Sequence, residues 1–148
     1  MAVFVGIDVA KSSLAVALYP TGQQLAVDND PNGHAVLCRW LADQEVDRIL
    51  LEATGGYENV LLATLTARWP VIRIAPHRAR AFAVAMGKIA KTDPIDAGML
   101  AHLAGVIEGP LVTPQSPAEA RLQALVRRRE QVVAQRDDER RRCLQVTD

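Results

Sequence analysis

The sequence predicts an α/β domain, a mixed five-stranded sheet with helices on both faces, followed by one long helix. Three observations predict it. Short, β-branched apolar runs recur between residues 3 and 75, each bounded by turn residues or acids. The first three runs follow one another across tight turns, whereas the later ones alternate with helical patterns. Residues 118–146 contain neither Pro nor Gly, which predicts a single helix about 43 Å long.

The elements follow in order. Residues 3–8 read as a buried strand ending at Asp8, and Lys11-Ser12-Ser13 turns the chain into a second strand over 14–18. Pro20-Thr21-Gly22 turns it again into a third strand over 23–27, so the three form an antiparallel meander. Asn29 or Asp30 can cap a helix with Pro31 in its first turn, reaching Ala42 and burying Ala35, Val36, Leu37, Trp40 and Leu41. The fourth strand is 48–52, ending at Glu52 before Gly55-Gly56. A helix over 58–68 follows, with Val60, Leu61, Leu62 and Leu65 inward. The fifth strand is 71–75, and Pro76 opens a helix stopped at Gly87. Asp93 caps another helix, with Pro94 at its first position, reaching Val106. This is the order of the ribonuclease H-like fold, in which the first and fourth strands are neighbours. Residues 1–110 form that domain, 111–117 a Pro-bearing linker, and 118–148 the start of a helical, coiled-coil-like segment. The pattern still runs at Asp148, so a fragment of a longer protein is expected.

Composition bounds the function. With 148 residues, 49% of them hydrophobic, one real core is available, and at 4% aromatic content it must be aliphatic. No apolar stretch approaches the roughly 18 residues of a membrane span, and Met1-Ala2-Val3-Phe4 has no basic leader. Cys38 and Cys143 are isolated and make no zinc, redox or disulfide pattern. A bacterial cytoplasm is the expected compartment. Net charge is zero but unevenly spread: residues 1–110 hold 9 Lys/Arg against 11 Asp/Glu, and residues 111–147 hold 8 Arg against 5 acids. The basic tail reads equally as a phosphate-facing surface or as a solvated helix face.

Four acids carry the chemistry. Asp8 and Glu52 end strands that should lie side by side, and Asp93 and Asp96 stand three apart near a helix N-terminus, on one helical face. Such carboxylates suit Mg²⁺ or Mn²⁺, and a pair of such ions supports phosphodiester cleavage and transfer. Asp8 is the natural bridge and Glu52 the natural flank. Each acid alone has a plainer reading as a turn starter, strand terminator or helix cap; the joint placement is what points to metal.

Three stretches, Gly6-Ile7-Asp8-Val9-Ala10-Lys11, Glu52-Ala53-Thr54-Gly55-Gly56-Tyr57 and Lys91-Thr92-Asp93-Pro94-Ile95-Asp96-Ala97, carry a family likeness. The chain resembles the N-terminal, RuvC-like domain of the DEDD transposases, insertion-sequence enzymes related to the Piv DNA invertase. The resemblance implies that Asp8, Glu52, Asp93 and Asp96 are the catalytic, metal-binding tetrad. It implies metal-dependent DNA cleavage and joining during transposition, with DNA and a structured guide RNA as partners. It also implies a second domain with a catalytic serine, which nothing in these 148 residues matches.

Around the tetrad, Lys11, Ser12, Thr54, Gly55, Tyr57, Arg78, Arg80, Lys88 and Lys91 are candidates for nucleic-acid contact. The long helix is expected to pair with a second copy. The alternative functions are a RuvC-like nuclease or resolvase, a non-catalytic dimerisation fragment that binds nucleic acid, and an actin-like ATP-binding domain. The last is disfavoured because residues 1–110 are too short for two lobes.

Overall fold

The sheet is a meander extended by two parallel strands. β1 (Val3–Val9) pairs antiparallel with β2 (Ser13–Tyr19), and β2 pairs antiparallel with β3 (Gln24–Asp28). β4 (Val46–Glu52) lies parallel to β1, and β5 (Val71–Ile74) parallel to β4. The resulting order, β3-β2-β1-β4-β5, is the ribonuclease H-like order expected from the sequence. The computed structural model describes residues 2–87, 96–114 and 116–145.

Alternation along the strands builds two apolar layers. Val5, Ile7, Val9, Leu14, Val16, Leu18, Ile49 and Leu51 pack with Leu37 and Leu41 of α1 (Pro31–Ala42) and Leu61 and Leu65 of α2 (Asn59–Thr66). On the opposite face, Leu50, Ile72 and Ile74 pack with Ala79 of α3 (Pro76–Ala85) and with Leu100, Leu103 and Ala104 of α4 (Ala97–Val106).

Several expectations shift. In α1 the buried residues include His34, Leu37, Cys38 and Leu41, while Ala35 and Val36 face solvent. A stripe at i, i+3, i+4 and i+7 leaves positions 35 and 36 on the outer side. Asp30, not Asn29, is its cap, accepting from the Gly33 amide at 2.7 Å. Val60 in α2 is likewise exposed, because Leu61, Leu62 and Leu65 already fill the inner face. The α4 helix starts later than predicted. Asp96 is its cap, accepting from the Met99 amide at 2.7 Å, so Asp96 precedes the helix instead of sitting on its first turn. The expected cap Asp93 and Pro94 lie outside the described residues.

The chain divides into two compact units, residues 1–114 and 115–148. The first includes Val112, whose amide donates to the Val71 carbonyl at 2.7 Å. The second is α5 (Pro117–Gln145), which buries none of its residues. Its start is a capping box: the Ser116 hydroxyl accepts from the Glu119 amide, and the Glu119 carboxylate accepts from the Ser116 amide at 2.8 Å. No helix among the described residues is long and apolar enough to cross a membrane.

Candidate functional site

Register brings the first two acids together. Ile7 is opposite Leu51 in the parallel β1–β4 pair, so Asp8 and Glu52 follow at adjacent strand ends. Both point to the face that carries α4, since Ile7 and Leu51 are buried on the other side. The third acid reaches them through α4. Gly6 has no side chain, and a Cβ there would overlap the Ala97 carbonyl oxygen and the Ala101 amide nitrogen. The helix therefore lies directly on β1, with Ala17, Ala97 and Ala101 forming a cluster of small residues at the contact. From the other end, the Arg48 guanidinium on β4 donates to the Ala104 and Ile107 carbonyls at the C-terminus of α4. Gly6 and Arg48 thus set where α4, and with it Asp96, sits against the strands.

The charges interact. Asp8 is open to solvent on one side, yet partial burial and then the nearby Asp96 charge push its carboxyl above the ordinary range. Burial, followed by the Asp8 charge, raises Glu52 as well, and Arg80 on α3 opposes that shift. Each carboxylate costs more to ionise because of a neighbour from a separate chain segment. One Asp96 oxygen is committed to capping α4. Among the described residues, no three His, Cys, Asp or Glu side chains stand in a ready-made metal-holding group. The fourth acid, Asp93, lies outside those residues, as do Lys88 and Lys91.

The loops beside the acids are held by residues that the sequence pattern did not single out. Glu58 is almost fully buried. Its Oε2 accepts from the Thr54 amide at 3.1 Å and the Gly56 amide at 2.9 Å, and Arg73 stands 3.6 Å from its Oε1. The loop leaving Glu52 is therefore wrapped around a carboxylate, and positive φ at Gly55 and Gly56 permits that wrap. The Thr54 hydroxyl donates back to the Glu52 carbonyl at 3.0 Å. An acid shortly after a Gly-Gly turn was the available signal. Asn29, expected at most as a cap, bonds instead to the loops after β1 and β4.

The remaining candidates are surface residues. Lys11 and Ser12 are exposed in the β1–β2 turn, and Tyr57 is half exposed in the loop after Glu52. Arg78 and Arg80 are exposed on α3. His102 stacks on Tyr19 at 4.8 Å, on the strand end opposite the acids, in keeping with a structural role.

Comparison with known proteins places this arrangement in a family. The chain is 30% identical over 134 residues to the pilin gene-inverting proteins of Moraxella lacunata and Moraxella bovis, covering 86% of this chain and 42% of each relative. The chain thus spans less than half the length of these relatives. Among solved structures, T. thermophilus RuvC in complex with Holliday junction substrate aligns with a TM-score of 0.48 and 16% identity, over 77% of this chain and 85% of that one. The family model of the IS110-type DEDD transposases matches residues 5–148, nearly the whole chain. The chain belongs to the DEDD transposase family.

Proposed function

We propose that residues 1–114 carry the acidic, metal-dependent part of the active site of a DNA transposase or related recombinase. The observation that carries this reading is that the ends of β1 and β4 lie side by side under the N-terminus of α4, which brings Asp8 near Glu52 and Asp96. Oxygen ligands that repel one another fit a hard divalent cation, Mg²⁺ or Mn²⁺. Asp93 joins them on its place in the sequence, three residues before Asp96.

A bound divalent metal would supply an activated nucleophile and stabilise the leaving oxygen of a phosphodiester. The residues of the chain do the rest. Asp8, on the innermost of the acid-bearing strands and near both Asp96 and Glu52, would hold the metal with them. Glu52 flanks it, with the Arg80 charge nearby. Lys11, Ser12 and the exposed Tyr57 edge are available to a DNA backbone or base beside the acids. That the relatives are gene-inverting proteins favours cutting and rejoining over simple hydrolysis. A guide RNA remains part of this proposal through the family resemblance alone. Pairing of α5 with a second copy is supported by its exposed Leu122, Leu125, Val126, Val132 and Leu144.

Calorimetric titration of Mn²⁺ into the chain and into its Asp8→Ala variant tests the reading. Saturable binding in the wild type, weakened at least about tenfold by Asp8→Ala, is expected. Identical heats in both proteins would overturn it.

A further inference from the structure

Asn29 precedes α1 and sits far in sequence from both loops that flank the acids. Its Nδ2 donates to the Ala10 carbonyl at 2.9 Å and to the Tyr57 carbonyl at 3.2 Å. Its backbone amide donates to the Ser12 carbonyl at 3.0 Å. Ala10 lies two residues after Asp8, and Tyr57 five residues after Glu52. One side-chain amide therefore ties the chain leaving the first acid to the chain leaving the second.

The orientation of that amide is determined. Two carbonyl oxygens on one side require the NH₂ group there, so Oδ1 faces the other way. Oδ1 is met by His34 Nε2 at 2.8 Å, which fixes the proton of a neutral imidazole on Nε2. His34 is buried in α1, and Asp30 anchors the start of that helix through its cap. The amide is thus held from behind by a buried ring on a capped helix.

We infer that Asn29 is a positioning residue: with His34 behind it, it locks the loop after β1 to the loop after β4 and so fixes Asp8 relative to Glu52. The lock stands on the hydrogen bonds alone; its consequence for metal binding rests on the function proposed above. A carboxamide is the group the geometry demands. A shorter side chain reaches one carbonyl at most, and a carboxylate has no N–H to offer either.

Asn29→Asp in the full chain is the discriminating variant. It keeps the size of the side chain and the acceptor for His34, but sets an oxygen against two carbonyls. Two readouts are taken well below the unfolding temperature. The first is amide exchange at Ala10, Thr54, Gly56 and Tyr57, all hydrogen-bonded in the wild type, in metal-free protein. Exchange about tenfold faster at these four, with Val5 and Leu50 of the sheet unchanged, supports the lock; unchanged exchange overturns it. The second is Mn²⁺ affinity. An added negative charge alone tightens cation binding, whereas lost registry weakens it, by about tenfold or more. Weaker binding supports the inference, and equal or tighter binding overturns its link to the acids. A wild type that binds no Mn²⁺ sinks the metal reading, and the lock is then decided by exchange alone. If Asn29→Asp does not fold, Asn29→Ala, which removes both donors without adding charge, is read by the same two criteria.

Discussion

Two groups of acids occupy the two units of this chain, and they are built in opposite ways. On α5, Asp137, Asp138 and Glu139 pair with Arg136, Arg141 and Arg142 at 2.7–2.8 Å, all on an exposed surface. In residues 1–114, partial burial raises the Asp8 and Glu52 carboxyls, and a neighbouring acid adds to each, Asp96 at Asp8 and Asp8 at Glu52. The first group neutralises itself and needs nothing more. The second holds partly buried negative charge, opposed at Glu52 by Arg80, over an apolar sheet, an arrangement that a folding domain does not need for its own stability. Acid clusters are common, so what distinguishes a candidate site is like charge only partly offset by a nearby cation, at Glu52 by Arg80, on a scaffold that holds the acids in place.

The scaffold side of this contrast breaks most readily at Gly6. Gly6→Ala places a methyl against the backbone of α4, and a loss of about 3 kcal/mol in urea unfolding is expected. A cost below about 1 kcal/mol would mean that α4 can step back from β1, and the argument for where Asp96 sits would fail with it.

A paired substitution sharpens the comparison between units. Leu50→Ala empties a fully buried position under α4 and should cost about 2–5 kcal/mol. Leu125→Ala removes a side chain that is 60% exposed and should leave unfolding within about 0.5 kcal/mol for an isolated chain. Should α5 pair with a second copy, the same Leu125→Ala change lowers the sedimentation coefficient at tens of micromolar instead.

The smallest expected effect is electrostatic. Ordinary carboxyl values are 3.8 for Asp8 and 4.5 for Glu52, and both are raised in the folded chain. The folded state then binds more protons than the unfolded state from those values upward, so metal-free stability falls as pH rises through the raised values. Asp8→Asn removes this penalty. Because solvent screens the site, the gain at pH 7 is on the order of 0.5 kcal/mol, and it should vanish near pH 3. A variant less stable than wild type at pH 7 would mean that the Asp8 charge is compensated after all.

Much of the frame was legible because it depends on local signals. Short, β-branched apolar runs located β1 and β4, and an acid at the end of each followed from reading to the end of the run. Helix starts at Pro31 and Pro76 were marked by proline chemistry. At α4, Asp93 before Pro94 read as the cap and Asp96 as an acid of the first turn. Pro94 favoured the earlier, yet the helix begins after Asp96, where the strand underneath is Gly6 and the small residues Ala97 and Ala101 can meet it. The roles of Glu58 and Asn29 lay further from view. Glu58 is buried by a loop that folds around it, and Asn29 reaches carbonyls 19 and 28 residues away. Neither relation has a sequence period.

The central proposal is that Asp8, Glu52 and Asp96 act as one cation site while the acids of α5 do not. Substoichiometric Mn²⁺, added to protein carrying ¹³C-labelled Asp and Glu carboxyls, tests this directly, because the paramagnetic ion broadens only nearby carbons. The account predicts that Asp8, Glu52 and Asp96 lose their signals first, with Asp137, Asp138 and Glu139 still sharp. Broadening that begins on α5, or spreads evenly over all exposed carboxylates, would contradict it.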